Sequence, residues 1–201
     1  MSTSLAHSQP HRLSAGLALC AAAVCCAMPA APASAAAPAT GTARAAACAD
    51  STLIPTSTDL ARIAAATLCV INQQRAAAGI PALRSNTALN TAASQHSLDM
   101  VAKNYFDHTS PTGSTMLSRL TAVGYIKPNE AWSIGENIAA ATGSLATPAA
   151  IVTAWMNSPG HRANILDASF KDTGIAAAPG VPKVVGTGPG GTYTEDFGVT
   201  T

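Results

Sequence analysis

All eight aromatic residues of this 201-residue chain lie beyond position 104, so whatever the first half builds must pack on aliphatic side chains alone. In that half Leu60, Ile63, Ala64, Leu68 and Ile71 recur at helical spacing. Asp59 favours the first turn and Gly79 with Pro81 supplies a stop, which predicts a helix over about 59–78. A second helix is predicted from Asn86, a good N-cap, through Leu89, Ala92, Ala93, His96 and Met100 to about Lys103. Shorter helices follow over 114–123 and 148–157, with Ser114 read as a cap and Pro148 early in the helix, then a last turn over 160–165. Strand-like stretches come late, at 132–140, 173–178, 182–186 and 192–199, and Gly188-Pro-Gly-Gly191 reads as a hairpin turn. Long helices early and strands late predict an α+β layered domain rather than a βαβ repeat. Phe170, Tyr193 and Phe197 read as core, while the other aromatics cluster near three polar motifs where rigid cleft walls would serve.

The start of the chain reads as a separate device. Leu13 to about Ala30 is almost wholly apolar and small, Arg12 precedes it, and Ala33-Ser34-Ala35 follows as a cleavage pattern. This predicts a secretory signal over 1–35, a linker over 36–49 too poor in bulky side chains to order itself, and a domain over 50–201. Loss of the leader removes Arg12, leaving ten basic residues against ten acidic ones. A near-neutral chain without a basic cluster is not expected to bind nucleic acid, nor to stay inserted in a membrane after cleavage. The leader also takes Cys20, Cys25 and Cys26, leaving Cys48 and Cys69, for which an oxidising compartment predicts one disulfide.

Three histidines then remain. His96 falls on the apolar stripe of the second helix and reads as structural. His108 lies in Tyr105-Phe-Asp-His-Thr-Ser-Pro-Thr-Gly113, and His161 in Trp155-Met-Asn-Ser-Pro-Gly-His-Arg-Ala-Asn-Ile-Leu166. Glu136 lies in Gly135-Glu-Asn-Ile-Ala139, with Arg119 and Arg162 as candidate partners. Two imidazoles and a carboxylate could hold a metal with a position left for water, but these residues are far apart in sequence and spacing alone does not join them. Gly186-Thr-Gly-Pro-Gly-Gly191 matches a dinucleotide-binding pattern without room for the helix and strand it would need. No P-loop, GxSxG elbow, HExxH or CxxC pair follows the leader.

Taken in order, Asn72-Gln-Gln-Arg75, the three motifs above and Thr173-Gly-Ile-Ala-Ala-Ala178 resemble a bacterial member of the CAP superfamily. That group comprises the cysteine-rich secretory proteins, antigen 5 and pathogenesis-related 1 proteins, also called SCP-like extracellular domains. The resemblance spans nearly all of 60–199. It implies a three-layer α-β-α sandwich with a central antiparallel sheet, and a large cleft where two histidines and two glutamates converge. His108, Glu136 and His161 match three of those four positions. At the fourth, Asn157 or Ser158 stands where a carboxylate is expected. The family implies zinc or another divalent cation held through His108 and His161, and the missing carboxylate implies weaker binding. Three functions follow from this. The preferred one is a secreted module whose cleft binds an extracellular small molecule, lipid or cell-envelope component. The alternatives are a metal-dependent, protease-like hydrolase and a signalling or structural protein acting through its surface. Catalysis is not the preferred reading, because no serine is fixed beside a histidine by sequence and Ser110-Pro111 reads as a turn.

Overall fold

The computed structural model describes residues 47–201; the predicted signal over 1–35 and most of the 36–49 linker lie outside the described residues. The helices form where periodicity places them: α1 over Leu60–Ala77, α2 over Thr87–Lys103, α3 over Met116–Ala122, α4 over Pro148–Asn157 and α5 over Pro159–Leu166. At the end of α1, Gly79 takes φ +73° while Ile80 N bonds Arg75 O and Gly79 N bonds Ala76 O. This closes the last carbonyls of the helix with a residue that has no Cβ to clash. Asn86 caps α2 by accepting from the amides of Ala88 and Leu89 at 2.9 and 3.3 Å. Helix α3 begins two residues later than predicted, because Thr115 rather than Ser114 caps it; the Ser114 amide is bonded instead to Ser110 Oγ.

Four strands, β1 (Arg84–Ser85), β2 (Trp132–Thr142), β3 (Asp172–Pro179) and β4 (Gly190–Thr200), form one sheet in the order β1-β3-β4-β2. The antiparallel sheet that was expected forms, with one short parallel strand added at its edge. β2 and β3 both run antiparallel to β4, but β1 lies parallel to β3, so the sheet is mixed. The chain leaves α1 travelling along β3, pairs for two residues, and is turned away by the α2 cap at Asn86. The strand expected over 182–186 is absent. Val185 N and Gly186 N both bond Pro182 O, and Val184 and Val185 are exposed, so this stretch is part of the connection from β3 to β4. Gly190 and Gly191 belong to β4 itself. A Cβ on Gly190 would lie 2.2 Å from Ala141 O, and one on Gly191 2.6 Å from Pro55.

Strand alternation sorts side chains to two helical layers. Ile175, Ala177, Tyr193 and Phe197 pack with Ile63 and Ile71 of α1, Ile151, Val152 and Trp155 of α4, and Ile165 of α5. The second cluster joins Leu89 and Ala92 of α2 to Leu120 of α3, Tyr125 and Ile126. The α-β-α sandwich therefore forms as expected, with Phe170, Tyr193 and Phe197 in the core. Two polar anchors enter the first cluster: Trp155 Nε1 donates to Ile138 O at 3.1 Å and Tyr193 Oη to Ala146 O at 2.7 Å. Helix α2 presses so close to β3 that a Cβ on Gly174 would fall 2.0 Å from the Leu89 backbone.

Cys48 and Cys69 are joined, with Cα atoms 5.8 Å apart. The bond fastens the segment before α1 to that helix, and Arg62 adds ion pairs to Asp50 and Asp59. Closing a loop of this length contributes about 3 kcal/mol. The Cys48→Ala/Cys69→Ala variant is therefore expected to melt roughly 6–12 °C lower by circular dichroism. A change within 2 °C would show that the segment is already held by its other contacts.

Candidate functional site

β2 forms one edge of the sheet, and the candidate site is built on and around that edge. Residues alternate across the strand, so Glu136 projects to the α2/α3 side while Asn137 projects to the α5 side. The loop between α2 and α3 carries His108. It starts at Asn104, in the left-handed region at φ 57°, and is tightened by Gly113 N to Ser110 O and by Thr109 N to Asp107 Oδ1. Arg119 of α3 stands behind this loop. Its Nη1 donates to His108 O and Ser114 O, both at 3.1 Å, and its Nη2 donates to Glu136 Oε2 at 2.5 Å. One guanidinium thus fixes both the loop and the carboxylate, which suits its rigid fork.

The structure brings His108 and Glu136 together: His108 Nδ1 donates to Glu136 Oε1 at 2.8 Å. The carboxylate is buried while about half of the imidazole remains exposed. Burial pushes the Glu136 carboxyl upward, but the His108 bond and the Arg119 charge outweigh it, and the net shift is downward. His108 is raised, chiefly by its bond to Glu136, against a smaller desolvation effect. Glu136 is thus an anchored anion, and His108 an imidazole with its Nδ1 proton committed.

Helix α5 brings the second histidine to the same edge. Asn137 Nδ2 donates to His161 O at 3.2 Å, and Asn164 Nδ2 donates to Asn137 Oδ1 at 2.9 Å and to Glu136 O at 3.2 Å. A side chain thereby pairs a backbone acceptor on the edge of β2. His161 is lowered by burial and, secondarily, by the charge of His108, so the two rings lie within electrostatic reach. Asn157 ends α4 and Ser158 is the joint between α4 and α5. Among the described residues no hydrogen bond joins either side chain to His108, Glu136 or His161. Of the two arginines expected near Glu136, Arg119 meets it and Arg162 remains exposed on α5.

Two neighbours escaped the sequence reading. Asp196 on β4 lies directly opposite Glu136 in register, and both of its carboxylate oxygens are buried without a partner. Glu195, on the opposite face, is wholly buried and raised well above the usual carboxylate range by desolvation. The only available signal was two acidic residues inside an otherwise uncharged strand. His96 is buried on α2 as expected of a structural histidine, with Nδ1 3.4 Å from Tyr105 Oη.

The chemistry available follows from these bonds. Ser110 Oγ is engaged with Thr112 Oγ1 and the Ser114 amide, and Ser114 Oγ with Ser118 Oγ, so both serines serve the turn. Neither is paired with a histidine as an activated nucleophile would be. Among the described residues no three His, Cys, Asp or Glu side chains are grouped to hold a metal ion. Both Glu136 oxygens are occupied by His108 and Arg119, so a catalytic zinc centre with three protein ligands does not fit. The donors left are the two imidazoles. A polar hollow of about 200 Å³ adjoins the site, walled by His96, Asp99, Ser110, Thr112 and Arg119. A larger, mainly apolar cavity of about 440 Å³ lies between α1, α2 and β3, away from both histidines.

Residues 68–185 match the Cysteine-rich secretory protein family, CAP. The uncharacterized protein YkwD of Bacillus subtilis (strain 168) is 38% identical over 104 residues, covering 52% of this chain and 38% of that protein. The crystal structure of an extracellular protein containing an SCP domain from Bacillus anthracis str. Ames is similar with a TM-score of 0.51 and 29% identity, over 70% of this chain and 40% of that one. An outer surface protein of Borrelia burgdorferi shares the fold, with a TM-score of 0.53 and 16% identity over 67% of this chain and 90% of that one. The match spans about two fifths of the length of the two Bacillus proteins.

Proposed function

Because the chain belongs to the cysteine-rich secretory protein (CAP) family, we propose that it is a secreted binding module whose cleft, formed around His108, Glu136 and His161, takes an extracellular small molecule, lipid or cell-envelope component. The observation that carries this reading is the His108–Glu136–Arg119 chain. It fixes a half-exposed imidazole at the edge of the sheet, with Nδ1 held and Nε2 left to meet a ligand. The site offers a positioned donor or acceptor and a buried counter-charge, which suits recognition. Asn157 and Ser158 stand at the α4–α5 joint as candidate contacts on the α5 side. Secretion is supported by the apolar leader, the Cys48–Cys69 bond and the extracellular description of the similar Bacillus anthracis protein.

Zinc or another divalent cation enters this reading as a ligand of His108 and His161, whose chemistry would be to attract oxygen-rich groups into the cleft. Two imidazoles without a carboxylate hold such an ion less tightly than three protein ligands do. Calorimetric titration of zinc into protein beginning at Ala36 is expected to show weak 1:1 binding. The His108→Ala/His161→Ala variant, shown to be folded by circular dichroism, is expected to show none. Equal binding by both proteins would remove the metal from the proposal and leave the cleft as a metal-free binding site.

A further inference from the structure

We propose that Asp196 is the positioning residue of this cleft: it keeps its carboxyl proton and donates it to Glu136, completing the set of donors that holds the carboxylate beneath His108. The argument starts from the ladder. Strand register sets Asp196 directly opposite Glu136 on β2 and opposite Gly174 on β3, so on one side it meets a carboxylate and on the other no side chain at all. Asp196 is completely buried, and neither oxygen receives a hydrogen bond from any donor among the described residues. The charged and titratable groups around it are Glu136 from β2, Arg119 from α3, Glu195 beside it on β4, and, beyond Glu136, His96 from α2 and His108.

Only Arg119 is a permanent cation in this set, and its Nη2 is spent on Glu136 Oε2. Two adjacent buried carboxylates cannot both ionise against so little positive charge. The proton belongs on Asp196, because Glu136 already accepts from His108 and Arg119 whereas Asp196 accepts from nothing. Desolvation and the neighbouring Glu136 charge push Asp196 in the same direction, well above the usual carboxylate range. Glu136 then receives three donors: His108 Nδ1–H, Arg119 Nη2–H and Asp196 O–H. A carboxylate held from three sides cannot swing out to serve as a metal ligand or a general base. It fixes the ring plane and tautomer of His108 instead. The inference deepens the proposed function by explaining how the imidazole is oriented, yet its test needs no ligand, so it can fail while the binding reading stands.

The sign of the pH effect follows from linkage. Asp196 is neutral in the folded domain and ionised in the unfolded chain above about pH 4. The folded domain therefore binds one proton more, and Asp196 makes stability fall as pH rises through this window. Asp196→Asn keeps a donor toward Glu136 without the titration. In urea unfolding of the two proteins, the unfolding constant of the native protein relative to Asp196→Asn is expected to grow as pH rises above about 4.5, approaching about tenfold per pH unit while Asp196 keeps its proton in the fold. A ratio that stays flat across that range would show that Asp196 is ionised in the fold and would overturn the proposal. Should the variant not fold, the carbon-13 resonance of the Asp196 carboxyl in the native protein decides the matter. A protonated shift at pH 6 supports the assignment, and an ionised shift at that pH refutes it.

Discussion

Glu136→Ala is expected to destabilise the domain by about 3–5 kcal/mol, because it removes one partner of a buried ion pair and leaves the other charge without compensation. Arg119 is buried, and its Nη2 has Glu136 as its partner, while its Nη1 holds the His108 loop. The loss has a second part, since His108 Nδ1 gives up its carboxylate partner. In a domain of this size the change corresponds to a fall of roughly 6–20 °C in Tm. The His108 proton, no longer favoured by Glu136, should also titrate at lower pH, which proton NMR of the imidazole would follow. A cost below about 1 kcal/mol would mean that water reaches Arg119 and that the site is open rather than dry.

The other large effect is expected at Arg75, on the opposite face of the sheet. This arginine is wholly buried in α1, and its guanidinium donates to four carbonyls: Pro81 O, Ile165 O, Asp167 O and Phe170 O. Those carbonyls lie in the turn after α1, at the end of α5 and in the approach to β3, so one side chain holds three separate segments. Arg75→Ala leaves them without their donor and opens a hole in the core, for an expected cost of about 3–5 kcal/mol by chemical denaturation. Arg75→Lys should recover less than half of this, because a single ammonium cannot span the directions a planar fork serves. Full recovery by lysine would show that only the charge matters. Since Ile165 and Asp167 flank the end of α5, the alanine variant is also expected to weaken the binding proposed at His161.

The helices were legible because their signals are local. Asn86 caps α2 through its own side chain, Gly79 closes α1 through its own φ, and Pro148 opens α4, each needing only its immediate neighbours. β1 was not legible, because its two residues, Arg84 and Ser85, carry no alternation and owe their state to Asp172 and Thr173 across the sheet. The reverse error occurred at Val184 and Val185, which have strand-forming side chains but no strand beside them to pair with. At the site, His108 and His161 stood out because each sits in polar, turn-rich sequence, Glu136 stood out within Gly135-Glu-Asn-Ile-Ala139, and Arg119 was anticipated as a carboxylate partner. Their meeting was not readable from spacing; it comes from the register that puts Glu136 on the edge strand, under the α2–α3 loop. Asp196 gave no sign beyond being an acid inside a strand, since a buried acid and a solvated one are written with the same residue.

The placement of Asn164 has a consequence for solubility. β2 is an outer strand of the sheet, and such a strand is a template on which another chain can extend the sheet into a fibre. Asn164 occupies one of its pairing positions by donating to Glu136 O, and Asn137 binds α5 over the same stretch. The residues that shape the cleft are therefore also the cover that keeps this rim from recruiting neighbours. Selection for a wider or more open site would work against selection for a protein that stays dispersed at high concentration.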